Sequence, residues 1–350
     1  MKIAAFTQGR AVPSARYRVR QNIPYLARRG IEVTEFFPKC VLPPSFQSWP
    51  GILRKPLGLA LLPGTFAERL SHALSSYMFQ IAWLQREMIP GFLSMEKFVR
   101  IPFALDVDDA IWLTNKGLAK DNCFLVKEAS IIIAGNNYLA DWFSKYNPRV
   151  SVVPTGVDTT KFVPLRKTTP QLRPRRFTVG WIGTSGNLVY LYEIQKALGN
   201  FLKRYTDTRL LVVSNTMPSF DSLPSEKVHF VQWSEDMEVE AIQSMDVGIM
   251  PLADDEWTRG KCSFKMLQYM ACGIPVVASP VGMNRDVLSM KEVGLGPKSQ
   301  DDWTDALDFL FKNRELAQKL GQNGRALVIE RFDSRVISKK LAQLFASLIE

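Results

Sequence analysis

Histidine is nearly absent from this chain: of 350 residues only His72 and His229 are histidines. Neither has Cys or Asp companions at metal-ligand spacing, so a histidine-based metal site and a Ser-His-Asp arrangement are both excluded as expectations. The four cysteines, Cys40, Cys123, Cys262 and Cys272, form no CxxC pair, which argues against a structural zinc or a disulfide scaffold and for reduced thiols in the cytoplasm. No apolar run is long enough to span a bilayer. The opening run, residues 3–6, is broken by Gln8 and Arg10, too soon for a signal-peptide core. Aromatic-basic RNA motifs, short-period repeats and low-complexity tracts are missing as well, so nucleic acid is not an expected partner.

What is present is an ordinary globular balance, 46% hydrophobic and 22% charged residues, in a chain long enough for two cores. The net charge of +10 is uneven. Residues 1–165 carry 20 Lys/Arg against 12 Asp/Glu, and residues 166–350 carry 24 against 22. The basic half attracts anionic partners without saying whether these are lipids, nucleotides or nucleic acids.

Short apolar runs alternate with helical stretches at 3–6, 33–37, 79–84, 102–105, 130–134 and 150–153, and again at 177–182, 210–213, 228–232, 247–250 and 275–278. Each series reads as a parallel sheet covered by helices. Pro, Thr and Arg crowd residues 162–176, the composition of an exposed linker. We expect domains at 1–165 and 166–335, with residues 336–350 as a closing helix. Ligands of such sheets sit beyond the carboxyl ends of the strands.

Residues 256–282 read EWTRGKCSFKMLQYMACGIPVVASPVG. A helix from about Lys261 to Ala271 predicts Lys261, Lys265 and Gln268 on one face, two ammonium groups near a helix N-terminus and suited to a pyrophosphate. A solvated lysine face explains the same spacing. At 179–187 a strand runs into Gly183, Thr184 and Gly186, a turn that admits a ligand or simply reverses the chain. Residues 151–162 (SVVPTGVDTTKF) suit a structural turn capped by Asp158 and a ligand contact equally. Residues 7–18 (TQGRAVPSARYR) follow the first strand, and seven Lys/Arg precede the first acidic residue, Glu32, so a loop holding Gly9, Arg16 and Arg18 can attract a phosphate-bearing ligand or anionic headgroups. At a further strand end Asp106, Asp108 and Asp109 crowd together, which calls for cationic partners, a divalent cation or a chemical role. Residues 49–62 mix apolar bulk with Arg54 and Lys55 and suit either an anionic membrane surface or a packed loop.

Residues 264–282 (FKMLQYMACGIPVVASPVG) resemble the donor-site signature of family-4 glycosyltransferases, Lys followed by Glu-Ala-Met-Ala-x-Gly-x-Pro-Val-Val. Residues 179–187, 151–162 and 7–18 resemble three further segments of that family, the last a loop between donor and acceptor, which makes Gly9, Arg16 and Arg18 candidates on the acceptor side. The resemblance implies a GT-B fold, with two Rossmann-like doubly wound domains facing a cleft and C-terminal helices closing back on the first domain. It implies retaining transfer of a sugar from a nucleotide-sugar donor to a glycan or lipid-linked acceptor, without metal or cofactor, in surface polysaccharide or glycoconjugate synthesis. Carried over by residue, Lys265 and Lys261 would meet the donor phosphates with Gly183 and Thr184, and Gln268 stands where the family has a ribose-binding Glu. Gly260 stands where a second, sugar-binding Glu is usual, with Lys261, Asp255 or Glu256 as substitutes, and Gly273 shapes the turn after the helix. Asp108 and Asp109, with Lys265, become the catalytic candidates, Asp108 replacing a His. A cytoplasmic location, peripheral to the membrane, follows. A nucleotide-sugar epimerase and a non-catalytic polyanion-binding protein are the alternatives.

Overall fold

The structure, a computed structural model, describes residues 1–10, 12–39, 51–89, 95–114, 123–165 and 176–349. The chain divides into two compact units. One comprises Met1–Gly156, Gly260–Cys262 and Ser334–Glu350; the other comprises Val157–Arg259 and Ser263–Asp333.

The first unit contains β1 (Lys2–Phe6), α1 (Ile23–Ala27), β2 (Glu32–Phe36), α2 (Gly51–Ser75), β3 (Ile81–Gln85), β4 (Phe103–Val107), α3 (Phe124–Lys127), β5 (Ile131–Ala134), α4 (Asn137–Phe143) and β6 (Val150–Val152). Its six strands are parallel in the order β2-β1-β3-β4-β5-β6. Helices on both faces explain why β3, β4 and β5 are buried at every residue and read as continuous apolar runs. Asp106, inside β4, and Gln85, at the end of β3, are the exceptions.

The second unit contains β7 (Phe177–Ile182), α5 (Leu188–Glu193), α6 (Gln195–Arg204), β8 (Thr208–Ser214), β9 (Val228–Gln232), α7 (Glu238–Gln243), β10 (Val247–Met250), α8 (Glu256–Arg259), α9 (Phe264–Ala271), β11 (Val276–Ala278), α10 (Met283–Met290), β12 (Gly294–Leu295), α11 (Gln300–Lys312) and α12 (Arg314–Arg331). Its parallel order is β12-β11-β10-β7-β8-β9. The two-residue β12 is too short to leave a periodic signal. Strand order reverses between β1 and β3 in the first unit and between β7 and β10 in the second, and these reversals mark where a doubly wound sheet opens for a ligand.

The last helix, α13 (Ser334–Ala346), belongs to the first unit. Phe345 packs on Trp83 with ring centroids 5.1 Å apart, and Ser338 Oγ donates to Asn22 Oδ1 at 2.9 Å. The units part after Gly156, because the residues that follow are tied into the second unit: Val157 N donates to Phe332 O at 2.8 Å, and Arg325 donates to the carbonyls of Thr159 and Phe162. Of the proline-rich stretch, residues 166–175 lie outside the described residues.

Among the described residues no helix is long and apolar enough to cross a membrane. Residues 51–62 form the start of α2; Trp49 and the side chains of Arg54 and Lys55 lie outside what is described. His72 lies beside Phe36, the rings tilted by 47° with centroids 5.2 Å apart, and burial lowers its pKa, as befits a structural histidine. Cys123, Cys262 and Cys272 are free and buried; Cys40 is outside the described residues.

Candidate functional site

In the second unit the switch point is built around a single indole. Trp181, almost fully buried in β7, presents its ring to Lys265, whose Nζ lies 5.1 Å from the ring centroid. Gly183 passes over the same ring so closely that a Cβ would come 2.7 Å from the indole and 2.9 Å from Lys265 Cε. Only glycine fits, and the loop backbone is thereby held against the lysine stem. Thr184 is exposed and its hydroxyl accepts from Asn187 Nδ2 at 2.9 Å, while Ser185 N donates to Asn215 Oδ1 at 2.8 Å. The loop is a shaped turn, anchored further by Gly183 N donating to Val213 O at 3.0 Å.

The helix that carries Lys265 begins three residues later than the spacing predicts. Ser263 adopts a left-handed backbone, φ 52°, and donates through Oγ to Asn284 Oδ1 at 2.6 Å, so α9 starts at Phe264. Lys261 therefore does not share a helical face with Lys265; it lies in Gly260–Cys262, which packs with the first unit.

Gln268 is buried, at 3% exposure, and donates through Nε2 to Glu238 Oε1 at 3.0 Å. A glutamate at 268 would set two buried carboxylates against each other, which gives the departure from the family pattern a physical reason. In this geometry Gln268 does not point to the outside, as the helical face predicted. Gly273 ends α9 with φ 72°, and α12 passes so near that a Cβ on Gly321 would come 2.0 Å from Gly273 O. Its role here is the turn and the close helix approach. Glu256 is exposed at the start of α8, whose first turn is capped by Asp255 Oδ1 accepting from Thr258 N at 2.7 Å. In the 151–162 segment Asp158 Oδ1 accepts from Thr160 N at 2.9 Å, the local cap that the residues suggested.

In the first unit the three carboxylates separate into two kinds. Asp106 is fully buried and pairs with Arg18: Nε and Nη2 of Arg18 lie 2.8 and 2.7 Å from Oδ1, while Trp83 Nε1 donates to Oδ2 at 3.0 Å. Burial pushes the Asp106 carboxyl up and Arg18 opposes it. Arg18 also donates to Val153 O at 2.8 Å, so this arginine, expected on the acceptor side, is a buried strut between β4 and the chain after β6. Arg16 remains partly exposed with its guanidinium 4.7 Å from the Tyr17 ring centroid. Gly9 has φ 153°, and its carbonyl accepts from Arg20 Nη2 at 2.9 Å, Arg20 in turn pairing with Glu35.

Asp108 and Asp109 lie beyond the end of β4 and share one partner, Arg86, at 2.7 and 2.5 Å. Sequence reasoning called for a cation here without naming it, because Arg86 ends a different strand. Among the described residues no group of three or more His, Cys, Asp or Glu is arranged to hold a metal. Burial raises the Asp109 pKa and Asp108 adds to it, with Arg86 and Lys261 pulling the other way. The segment bearing Lys261 is locked to this corner: Asn136 Nδ2 donates to Gly260 O and Lys261 O at 3.0 and 3.1 Å, and the Cys262 thiol donates to Asp108 O at 3.2 Å. A Cβ on Gly260 would come 2.8 Å from Ala110 N, so the glutamate the family has there is sterically excluded.

Two Rossmann-like units with these switch points define the GT-B class, and solved structures bear this out. Sucrose-phosphate synthase from Thermosynechococcus elongatus superposes with a TM-score of 0.75 at 18% identity, over 99% of this chain and 98% of that one. Anabaena HepE, crystallised with UDP, superposes with a TM-score of 0.71 at 16% identity over 99% and 100%. WaaG, a glycosyltransferase involved in lipopolysaccharide biosynthesis, gives 0.63 at 14% over 98% and 99%. At these identities the likeness is one of fold. Residues 176–313, which but for Gly260–Cys262 lie in the second unit, match the family model described as Glycosyl transferases group 1. No curated protein matches the sequence. Family match and fold together support glycosyl transfer as the class of reaction.

Proposed function

We propose that this chain is a retaining, metal-independent glycosyltransferase of the family-4 kind, moving a sugar from a nucleotide-sugar donor to a glycan or lipid-linked acceptor in surface polysaccharide or glycoconjugate synthesis. The observation that carries this reading is the Gly183–Trp181–Lys265 arrangement at the switch point of a group 1 domain. Breaking a glycosyl-phosphate bond develops negative charge on the departing diphosphate, and preorganised cations and helix N-termini absorb it. Lys265, in the first turn of α9, supplies the cation, and the Gly183–Thr184 turn supplies backbone against which phosphate oxygens can rest. The indole fixes the lysine stem, so little side-chain freedom is lost on binding.

HepE has been crystallised with UDP and with UDP-glucose, which supports a uridine nucleotide as the first donor to try. Asp108 and Asp109 then serve the acceptor or the transition state, and Glu256 is an exposed candidate for donor contact. Lys261, beside Asp109, takes its place on the acceptor side. No cofactor beyond the nucleotide sugar is invoked. The surplus of basic residues in the first half supports attachment to an anionic membrane surface on the cytoplasmic side.

The test is a thermal-shift screen of UDP, UDP-glucose and other nucleotide sugars against the wild type and Lys265→Ala. A ligand bound only by the native state raises its melting temperature. A rise in the wild type that is lost in Lys265→Ala supports the reading, and an equal rise in both refutes the assignment of Lys265. Sedimentation with anionic vesicles tests the membrane; protein left in the supernatant counts against it.

A further inference from the structure

At the end of β3 the chain turns through Arg86 with φ 63°, a left-handed backbone that residues bearing a Cβ rarely adopt. The turn is held on every side. Arg86 N donates to Asp106 O at 2.9 Å, Gln8 Nε2 to Glu87 O at 3.2 Å, and Arg69 Nε to Met88 O at 3.1 Å. Strain of this kind persists where the surroundings over-determine it, and it gathers at functional sites.

The conformation sends the guanidinium across the end of the neighbouring strand. Nε and Nη2 both lie 2.7 Å from Asp108 Oδ1, and Nη2 lies 2.5 Å from Asp109 Oδ2. One planar fork thus bridges two adjacent carboxylates that would otherwise repel, and a lysine, with a single point charge, has no equivalent grip. The carboxylates are neither sealed off nor fully in water, at 14% and 23% side-chain exposure.

We propose that Arg86 is the positioning residue of this centre: its fork sets the orientation of Asp108 and Asp109 toward a hydroxyl-bearing acceptor. The acceptor role rests on the transferase reading above; the positioning does not. The charged groups facing Asp109 are Arg86 from the end of β3, Asp108 from the end of β4 and Lys261 from the Gly260–Cys262 segment, where the Cys262 thiol is kept protonated by burial and the nearby carboxylates. Taking away Arg86 removes the nearer restraint on a carboxyl already pushed upward by burial.

The experiment uses full-length protein labelled with 13C at the Asp carboxyls, with Asp109→Asn identifying the Asp109 resonance. Wild type, Arg86→Lys and Arg86→Met are titrated after circular dichroism has verified the fold. The Asp109 midpoint is expected to rise by more than about one pH unit in Arg86→Met, and the Arg86→Lys crystal structure is expected to show one carboxylate turned away. Should Arg86→Met fail to fold, Arg86→Lys alone decides through the same two readouts. An unmoved midpoint together with unmoved carboxylates overturns the positioning by Arg86. Failure of every nucleotide sugar to raise the melting temperature overturns the transferase reading and with it the acceptor role, a result separable from the titration.

Discussion

Replacing Gln268 by glutamate is nearly isosteric, yet it should convert a satisfied buried pair into a pH-dependent defect. Gln268 and Glu238 are 3% and 2% exposed, and the amide donates to Glu238 Oε1 at 3.0 Å. In Gln268→Glu both groups are carboxyls, and a hydrogen bond survives only while one keeps its proton. Holding a proton at pH 7 on a group that releases it at about 4.3 when unfolded costs about 1.4 kcal/mol per pH unit, hence about 3.7 kcal/mol. The sign follows from a folded-state pKa raised above the unfolded one. The penalty is absent below about pH 4.3, grows as pH rises, and levels off above the folded-state value. At roughly 2–4 °C per kcal/mol the melting temperature should fall by about 7–15 °C at pH 7 and hardly at all at pH 4. Thermal melting of wild type and variant across pH 4–8 measures this. The charge-swapped double variant, Gln268→Glu with Glu238→Gln, should recover most of the loss, since it restores one amide and one carboxylate. A stability deficit that does not change with pH would refute the reasoning.

Lys265→Ala should leave the melting temperature without ligand within about 0.5 kcal/mol of wild type, as expected for a partly exposed helical position, while nucleotide affinity measured calorimetrically drops about 10-fold or more through loss of a charge-assisted contact. Gly183→Ala should cost about 1–3 kcal/mol in urea unfolding, because the Trp181 ring 2.7 Å from the new methyl is locked in the core and cannot yield. Arg18→Met leaves Asp106 buried without its cation and should cost about 3–5 kcal/mol, read as a lower urea midpoint.

The acidic strand end shows why part of the site could be read and part could not. Three aspartates within four residues announce that a cation must be close. The cation is Arg86, some twenty residues away in sequence and one strand over, and only the β3–β4 register, with Gln85 beside Asp106, brings them together. Arg18 illustrates the converse. Its position after the first strand suggested the acceptor side, while the fold buries it against Asp106, a partner that no local spacing could reveal. For Lys261 the error was one of helix onset: the left-handed turn at Ser263 leaves no periodic trace, because Ser263 would be unremarkable in a helix.

By itself the sequence determined the architecture, since apolar runs alternating with amphipathic stretches can bury their surface only as helix-covered parallel sheets, and it carried the motif at 264–282, whose residues are contiguous. Tertiary structure decided which charges are struts and which face outward, why residue 268 is not a glutamate, and why residue 260 has no side chain. Those outcomes depend on distances between residues far apart in the chain, and such distances exist only once the strands have paired.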